Sequence, residues 1–207
     1  TTLNWNTAQV VTVTGVNDNI PGYACVLSKL RLDQLHIENV LFYFRAATGP
    51  LGPLARGENH PAPDAILGCD LIKPFAFVQI YYPNHKTVFS ATFEYAPEEG
   101  NLVAVLPLKE VEGVFATEGI VDDRKSTVIL DSAGEFQIAM DTPPTNKLTQ
   151  FSVGDLVFRN VSVEASKDLG LGLLKHPRIG RQLLSRFKVT LAPKKKLVYM
   201  EKPGSTK

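Results

Sequence analysis

Two stretches of this chain repeat one another. Leu30-Arg31-Leu32-Asp33-Gln34-Leu35-His36-Ile37-Glu38-Asn39-Val40 aligns without a gap on Phe151-Ser152-Val153-Gly154-Asp155-Leu156-Val157-Phe158-Arg159-Asn160-Val161, apolar on apolar and Asn39 on Asn160, at an offset of 151 − 30 = 121. Further along, Phe77-Val78-Gln79-Ile80-Tyr81-Tyr82-Pro83 aligns on Phe187-Lys188-Val189-Thr190-Leu191-Ala192-Pro193, an offset of 187 − 77 = 110. Two matches in the same order are read as two copies of one unit, which constrains every later assignment. The difference of 121 − 110 = 11 residues falls to the glycine- and proline-rich stretch 46–63 of the first copy, where an insertion costs little.

The repeated unit is made of strands. Val10 to Thr14, Tyr23 to Leu27 and the alternating Leu30, Leu32, Leu35, Ile37 and Val40 carry the period of two and the β-branched or aromatic types that a half-buried strand needs. Turn formers fill 15–22, so the first two strands are expected to make a long hairpin with a broad tip. Strands are also expected over Phe75 to Tyr81, Thr87 to Phe93, Leu102 to Leu106, Val114 to Ile120 and Ser126 to Leu130, with a five-residue turn at 121–125. A short helical turn is expected over Asp70 to Pro74. A longer helix is expected from Pro177 to Arg186, with Ile179 and Leu183 on one face. The polar stretch 97–101 reads as a linker between an N-terminal lobe, 1–96, and a C-terminal lobe, 102–207.

Composition narrows the function. With 207 residues and 44% hydrophobic content, the chain can bury one substantial core or two small ones. Its 22 basic and 21 acidic residues nearly cancel, so no global field calls for nucleic acid or an acidic membrane as partner. The basic stretch Lys175-His176-Pro177-Arg178 with Arg181, Arg186 and Lys188 reads as the solvated face of the expected helix in preference to a docking patch. The longest apolar run, Asn101 to Leu108, is far shorter than the roughly 20 residues of a spanning helix. A soluble chain is therefore expected. Its start at Thr1 reads as processing or as an artificially trimmed chain, with a secreted or periplasmic location as the expectation that goes with processing. Cys25 and Cys69 are too few for a disulfide framework, and His36, His60, His85 and His176 lie in no ligand spacing, so neither metal nor cofactor is expected.

One segment carries chemistry. Val128-Ile129-Leu130-Asp131-Ser132-Ala133-Gly134 follows a hairpin and resembles the apolar-apolar-D-[ST]-G loop of the retropepsin-like and pepsin-like aspartic proteases. Ile66-Leu67-Gly68-Cys69-Asp70-Leu71-Ile72 is similar to the L-G-x-D-[FL]-L element of that family, and Ile179-Gly180-Arg181-Gln182-Leu183-Leu184 is its second-copy counterpart. The resemblance covers nearly the whole chain. It implies an all-β acid-protease fold, two related β-barrel lobes with one short helix near the C-terminus of each. It also implies hydrolysis of peptide bonds, with Asp131, Ser132 and Gly134 in the catalytic loop. Val16, Asn17, Asp18, Asn19 and Tyr23 would belong to a hairpin that closes over substrate. The sequence departs from the pattern in one place, because Ala133 holds the usual glycine position and Gly134 comes one residue later.

Such a loop must act in pairs. Two carboxylates held close together share one proton, and the pair serves as base toward a water and acid toward the leaving amine. If Glu135 to Ile138 corresponds to Thr1 to Trp5, the first copy's aspartate loop falls ahead of Thr1. Three arrangements stay open: an endopeptidase whose second aspartate lies on an upstream segment or a separate chain, a dimer in which two Asp131 loops meet, and a catalytically silent protease-fold module that binds peptide or protein partners. An unrelated β-barrel interaction module, presenting the 15–22 hairpin and the 46–63 loop, is the alternative of a different class.

Overall fold

The aligned stretches share local backbone geometry. The computed structural model describes residues 9–14, 19–44, 67–143, 145, 147–169 and 175–203. Strands β1 (Gln9–Thr14), β2 (Asn19–Leu32) and β3 (Leu35–Phe44) form an antiparallel sheet of three. Next come the helical turn α1 (Cys69–Ile72) and strands β4 (Phe77–Tyr81), β5 (Lys86–Ser90), β6 (Leu102–Pro107) and β7 (Lys109–Val111). The hairpin β8 (Val114–Val121) and β9 (Arg124–Leu130) leads to β10 (Ile138–Met140), β11 (Lys147–Val153), β12 (Leu156–Ala165) and the two-residue β13 (Arg178–Ile179). The chain closes with α2 (Arg181–Leu184), β14 (Lys188–Ala192) and β15 (Leu197–Glu201).

Hairpins β2–β3 and β11–β12 are the same structure at an offset of 121. Leu32 pairs with Leu35 and Leu27 with Val40; Val153 pairs with Leu156 and Leu148 with Val161. Each turn opens on a left-handed residue, Asp33 at φ 52° and Gly154 at φ 53°. Further along, Asn39 and Asn160 adopt φ 55° and 54°. A left-handed backbone inside a strand disfavours most L-residues, and asparagine tolerates it because its short amide bonds locally. The helical turns also correspond, each four residues long behind an extended glycine, Gly68 or Gly180, at an offset of 181 − 69 = 112.

The last hairpins correspond at 188 − 77 = 111, one residue away from the predicted 110. Each has a 3-10 turn closed by a left-handed residue, His85 or Lys196. This register sets buried Val78 on buried Val189, whereas the predicted one would set Val78 on Lys188 and exchange the faces of the strand.

Six strands close a barrel. β8, β9, β13, β10, β12 and β11 pair in that order, and β11 returns to β8 through Phe151↔Val121 and Val153↔Gly119. Inward-facing Val128, Ile138, Phe151, Val153, Val161, Val163 and Ile179 are buried. Beside it lies a sheet in the order β5-β4-β14-β15-β6, in which β4 pairs antiparallel with β14. Leu106, Val189, Leu191, Val198 and Met200 of this sheet join the barrel residues in one apolar cluster. Burying each such side chain contributes about 1.5–3 kcal/mol. The sheet's other face holds a polar group: fully buried Glu201 faces Lys188 Nζ at 3.3 Å and accepts the Tyr95 hydroxyl and, at 3.3 Å, the Glu98 amide N–H. That network fastens the segment after β5 onto the sheet.

The structure corrects three local expectations. Residues 177–186 are not one helix, because Arg178–Ile179 enters the barrel as β13 and only Arg181–Leu184 is helical. Ladder bonds to two neighbouring strands outweigh the helical spacing of Ile179 and Leu183. The turn between β8 and β9 is two residues, Asp122 and Asp123 at φ 50° and 61°, the doubly left-handed geometry that matches strand twist. In the first hairpin the strand resumes at Asn19, paired with Thr14, so 19–22 belong to β2. No helix among the described residues is long and apolar enough to cross a membrane.

If the left-handed position is a requirement of the hairpin, Asn160→Val will destabilise the chain by about 1–2 kcal/mol, while Asn160→Gly will stay within a few tenths of wild type on the same scale. Urea unfolding of the two variants measures the difference.

Candidate active site

Asp131 stands where β9 leaves the barrel wall. Its N–H donates to the Ile179 carbonyl at 3.0 Å, and the Ile129 N–H donates to the Pro177 carbonyl at 2.9 Å, so β13 holds the strand up to the aspartate. The loop then turns back on itself, with the Gly134 N–H donating to Asp131 Oδ1 at 2.9 Å. Ser132 and Ala133 are exposed on the bend, and Gly134 is buried beneath it.

A second layer of bonds joins the loop to α2. The Gly134 carbonyl accepts the Arg181 N–H at 2.7 Å, and the Gln137 carbonyl accepts the Gly180 N–H at 2.9 Å. The Phe136 carbonyl accepts the Gln182 N–H at 3.2 Å. Phe136 fills the space between, fully buried. A Cβ on Gly180 would lie 2.2 Å from the Phe136 carbonyl oxygen and 2.8 Å from that of Gly134. A Cβ on Gly134 would meet the Phe136 ring at 2.4 Å and the Asp131 carboxyl carbon at 3.1 Å. Gly134, although one residue later than the motif asks, is thus the position where the loop needs no side chain.

The second carboxylate oxygen has a cationic partner. Arg178 Nη1 lies 3.1 Å from Asp131 Oδ2, and the two side chains are 14% and 12% exposed. Arg178 therefore does not lie on a solvated helix face. It precedes core residue Ile179 on β13 and so points to the opposite side of the strand. Its Nε is buried without a partner among the described residues. Arg181 is paired instead with Glu135 at 2.5 Å, in a half-exposed bridge worth little.

Tyr82 reaches the same place from the first copy. Its hydroxyl is buried without a partner among the described residues. Burial pushes the phenol well above its ordinary range, with the Arg181 charge lowering it and Asp131 raising it further. Tyr82 and Pro83, with Glu135, Arg181, Gln182 and Ser185, line an open groove of about 360 Å³ beside the aspartate loop.

Of the residues singled out in the sequence, Asp131, Ser132 and Gly134 are brought together in one loop. Asn19 and Tyr23 lie on β2, opposite Thr14 and Val10 on β1. Val16, Asn17 and Asp18 fall outside the described residues, and the β1–β3 sheet pairs with neither of the others. The sequence reading missed Arg178, Tyr82, Phe136 and Gly180. At the α1–α2 offset of 112, Arg178 takes the position of Ile66, an arginine at the first place of an apolar-apolar-glycine triplet; that substitution was the available signal. Among the described residues no cluster of His, Cys, Asp and Glu could hold a metal ion.

Two outcomes are expected. Gly180→Ala will destabilise by about 3 kcal/mol or more because its clash is with backbone, while Gly134→Ala, which meets a ring edge, will cost about 1–2 kcal/mol and will be partly rescued by Phe136→Leu; thermal unfolding of the single and double variants tests this. Tyr82→Phe, which removes a buried hydroxyl without a partner among the described residues, will leave stability equal to wild type or raise it by about 1 kcal/mol in the same assay.

No protein-family model matches the chain, and no curated protein matches it. Solved structures do match, among them a retropepsin-like aspartic protease from Rickettsia conorii, at 20% identity and a TM-score of 0.35, over 48% of this chain and 89% of that one.

Proposed function

We propose that the chain is an aspartic-endopeptidase-like protein in which Asp131 is one of a pair of carboxylates that activate water against a peptide bond. One observation carries the reading: the aspartate follows a strand that is buried at Val128 and Ile129 as it enters the loop, the loop's backbone is held by β13 and α2, and the carboxylate accepts the Gly134 N–H. Fixed carboxylates of this kind suit general acid–base work because their geometry is set before substrate arrives. In the reaction a water between the two aspartates gives its proton to the ionised member as its oxygen attacks the carbonyl. The protonated member then delivers a proton to the departing amine.

In this reading residues 1–96 and 102–207 are related lobes joined by 97–101. The second aspartate comes from a segment ahead of Thr1 or from a second chain. The β1–β2 hairpin, with Val16, Asn17, Asp18, Asn19 and Tyr23, closes over a peptide or protein substrate. Support for the two-lobe arrangement comes from the matching hairpins and from the pairing of β4 with β14.

The ion pair with Arg178 favours a second reading. A guanidinium 3.1 Å from Asp131 competes with a partner carboxylate for the same oxygen, which suits a catalytically silent module that binds peptides at the loop. The two readings separate on cleavage of a mixed peptide library from acid to neutral pH by this chain, by the chain extended with any encoded segment ahead of Thr1, and by Asp131→Asn versions of both. Cleavage that disappears with Asp131→Asn supports the endopeptidase. Cleavage that survives it removes Asp131 from the mechanism, and peptide binding without cleavage by any version supports the silent module.

A further inference from the structure

We propose that the free edge of β6 pairs two copies of this chain, antiparallel about a two-fold axis, whatever chemistry Asp131 performs.

β6 is the last strand of the five-stranded sheet, with β15 on one side and no strand on the other among the described residues. Edge strands are ordinarily blunted by charge or proline, because a row of unpaired N–H and C=O groups invites another strand. The opposite edge of the sheet follows that rule, since β5 opens on Lys86. β6, Leu102-Val103-Ala104-Val105-Leu106-Pro107, holds no charge, and Leu102, Val103 and Val105 are 40%, 37% and 44% exposed. Proline stands only at its end.

The bonds to β15 tell which backbone groups are left over. The Leu108 N–H donates to the Lys196 carbonyl, and the Lys202 N–H donates to the Asn101 carbonyl. Bonds in these positions flank the pairs Pro107–Leu197 and Leu102–Glu201, which therefore exchange none of their own. Alternation from Pro107 gives the Val105–Tyr199 pair the same character. Leu102 and Val105 thus direct N–H and C=O away from β15, toward the open edge. Val103 is the extra residue of a bulge between the Ala104–Met200 and Leu102–Glu201 pairs. That insertion keeps Leu102 and Val105 on one face, beside Glu201 and Tyr199, while Ala104 and Leu106 turn into the apolar cluster with Val198 and Met200.

An edge built this way is complementary to itself. In a second copy laid antiparallel, Leu102 stands opposite the partner's Val105, and Val105 opposite the partner's Leu102. Each pair can exchange bonds in both directions, and each sets one exposed apolar side chain against another. The two-fold axis uses up the edge in both copies, so the joined sheet ends on β5 and its lysine at either side and does not propagate. Contact along one short strand covers well under the roughly 800 Å² per partner of a standard interface, so the dimer is weak and depends on concentration.

The test is sedimentation velocity of the full chain from about 5 to about 500 µM, a range in which a weak dimer of this size forms, with hydrogen exchange of residues 101–108 read by mass spectrometry at both ends. Wild-type chain is expected to pass from monomer to dimer, and exchange in 101–108 to slow about threefold or more at the higher concentration. Leu102→Lys/Val105→Lys places like charge opposite like charge and is expected to weaken the dimer about tenfold or more, whereas Leu102→Lys/Val105→Glu places Lys opposite Glu and is expected to stay within about threefold of wild type. If either variant does not fold by circular dichroism, exchange in the wild-type chain decides. A monomer at every concentration, a dimer without slowed exchange in 101–108, a dimer that survives Leu102→Lys/Val105→Lys in a folded chain, or loss of the dimer in a folded Leu102→Lys/Val105→Glu overturns the proposal.

Discussion

Two residues hold this structure together at its most demanding point. Arg178 and Ile179 slip between β9 and β10, parallel to one and antiparallel to the other. Without them the barrel wall has a gap, since β9 and β10 have no pairing of their own in the sheet order. The same insertion supplies the carbonyl that holds the Asp131 N–H, drives Ile179 into the core and turns Arg178 toward the carboxylate. Closure of the barrel and construction of the site are thus one event. The glycine that follows, Gly180, lets the loop and α2 approach within hydrogen-bond distance of backbone to backbone.

The correspondence of the β2–β3 and β11–β12 hairpins could be read from the sequence because it is carried by residues with backbone demands. Asn39 and Asn160 align in the sequence and share a left-handed conformation that few other residue types accept. Composition alone would not distinguish such a match from generic alternation, but a shared backbone requirement does. The strand that leads to Asp131 was equally legible, since Val128, Ile129 and Leu130 make an apolar, largely β-branched run. The loop's glycine was displaced in the motif, and the packing of Phe136 accounts for where glycine has to stand.

The remainder depended on contacts distant in sequence. The second match slipped by one residue because Phe77 on Phe187 and Pro83 on Pro193 are attractive pairs, while the faces of β4 and β14 are set by partners that the local pattern does not contain. Ile179 and Leu183 have helical spacing, yet they belong to different elements because the ladder on either side of β13 claims the first. Arg178 was counted among surface cations for the same reason: sequence gives its charge, and only topology gives its neighbour. Tyr82 reaches the aspartate loop from the other copy, about 49 residues upstream of Asp131, and no local signal marks that approach.

The pairing of β4 with β14 bears on how the chain reaches this state. Paired residues of these strands lie between 188 − 81 = 107 and 191 − 78 = 113 positions apart, yet the strands are adjacent in one sheet. A contact of such sequence separation must wait for both halves to be largely formed, because loop closure is costly until the surrounding apolar surface rewards it. Folding would then be slow and late to commit. Until it does, the edges of β4 and β14 stand open, and the second half emerging from synthesis finds its partner strand already made.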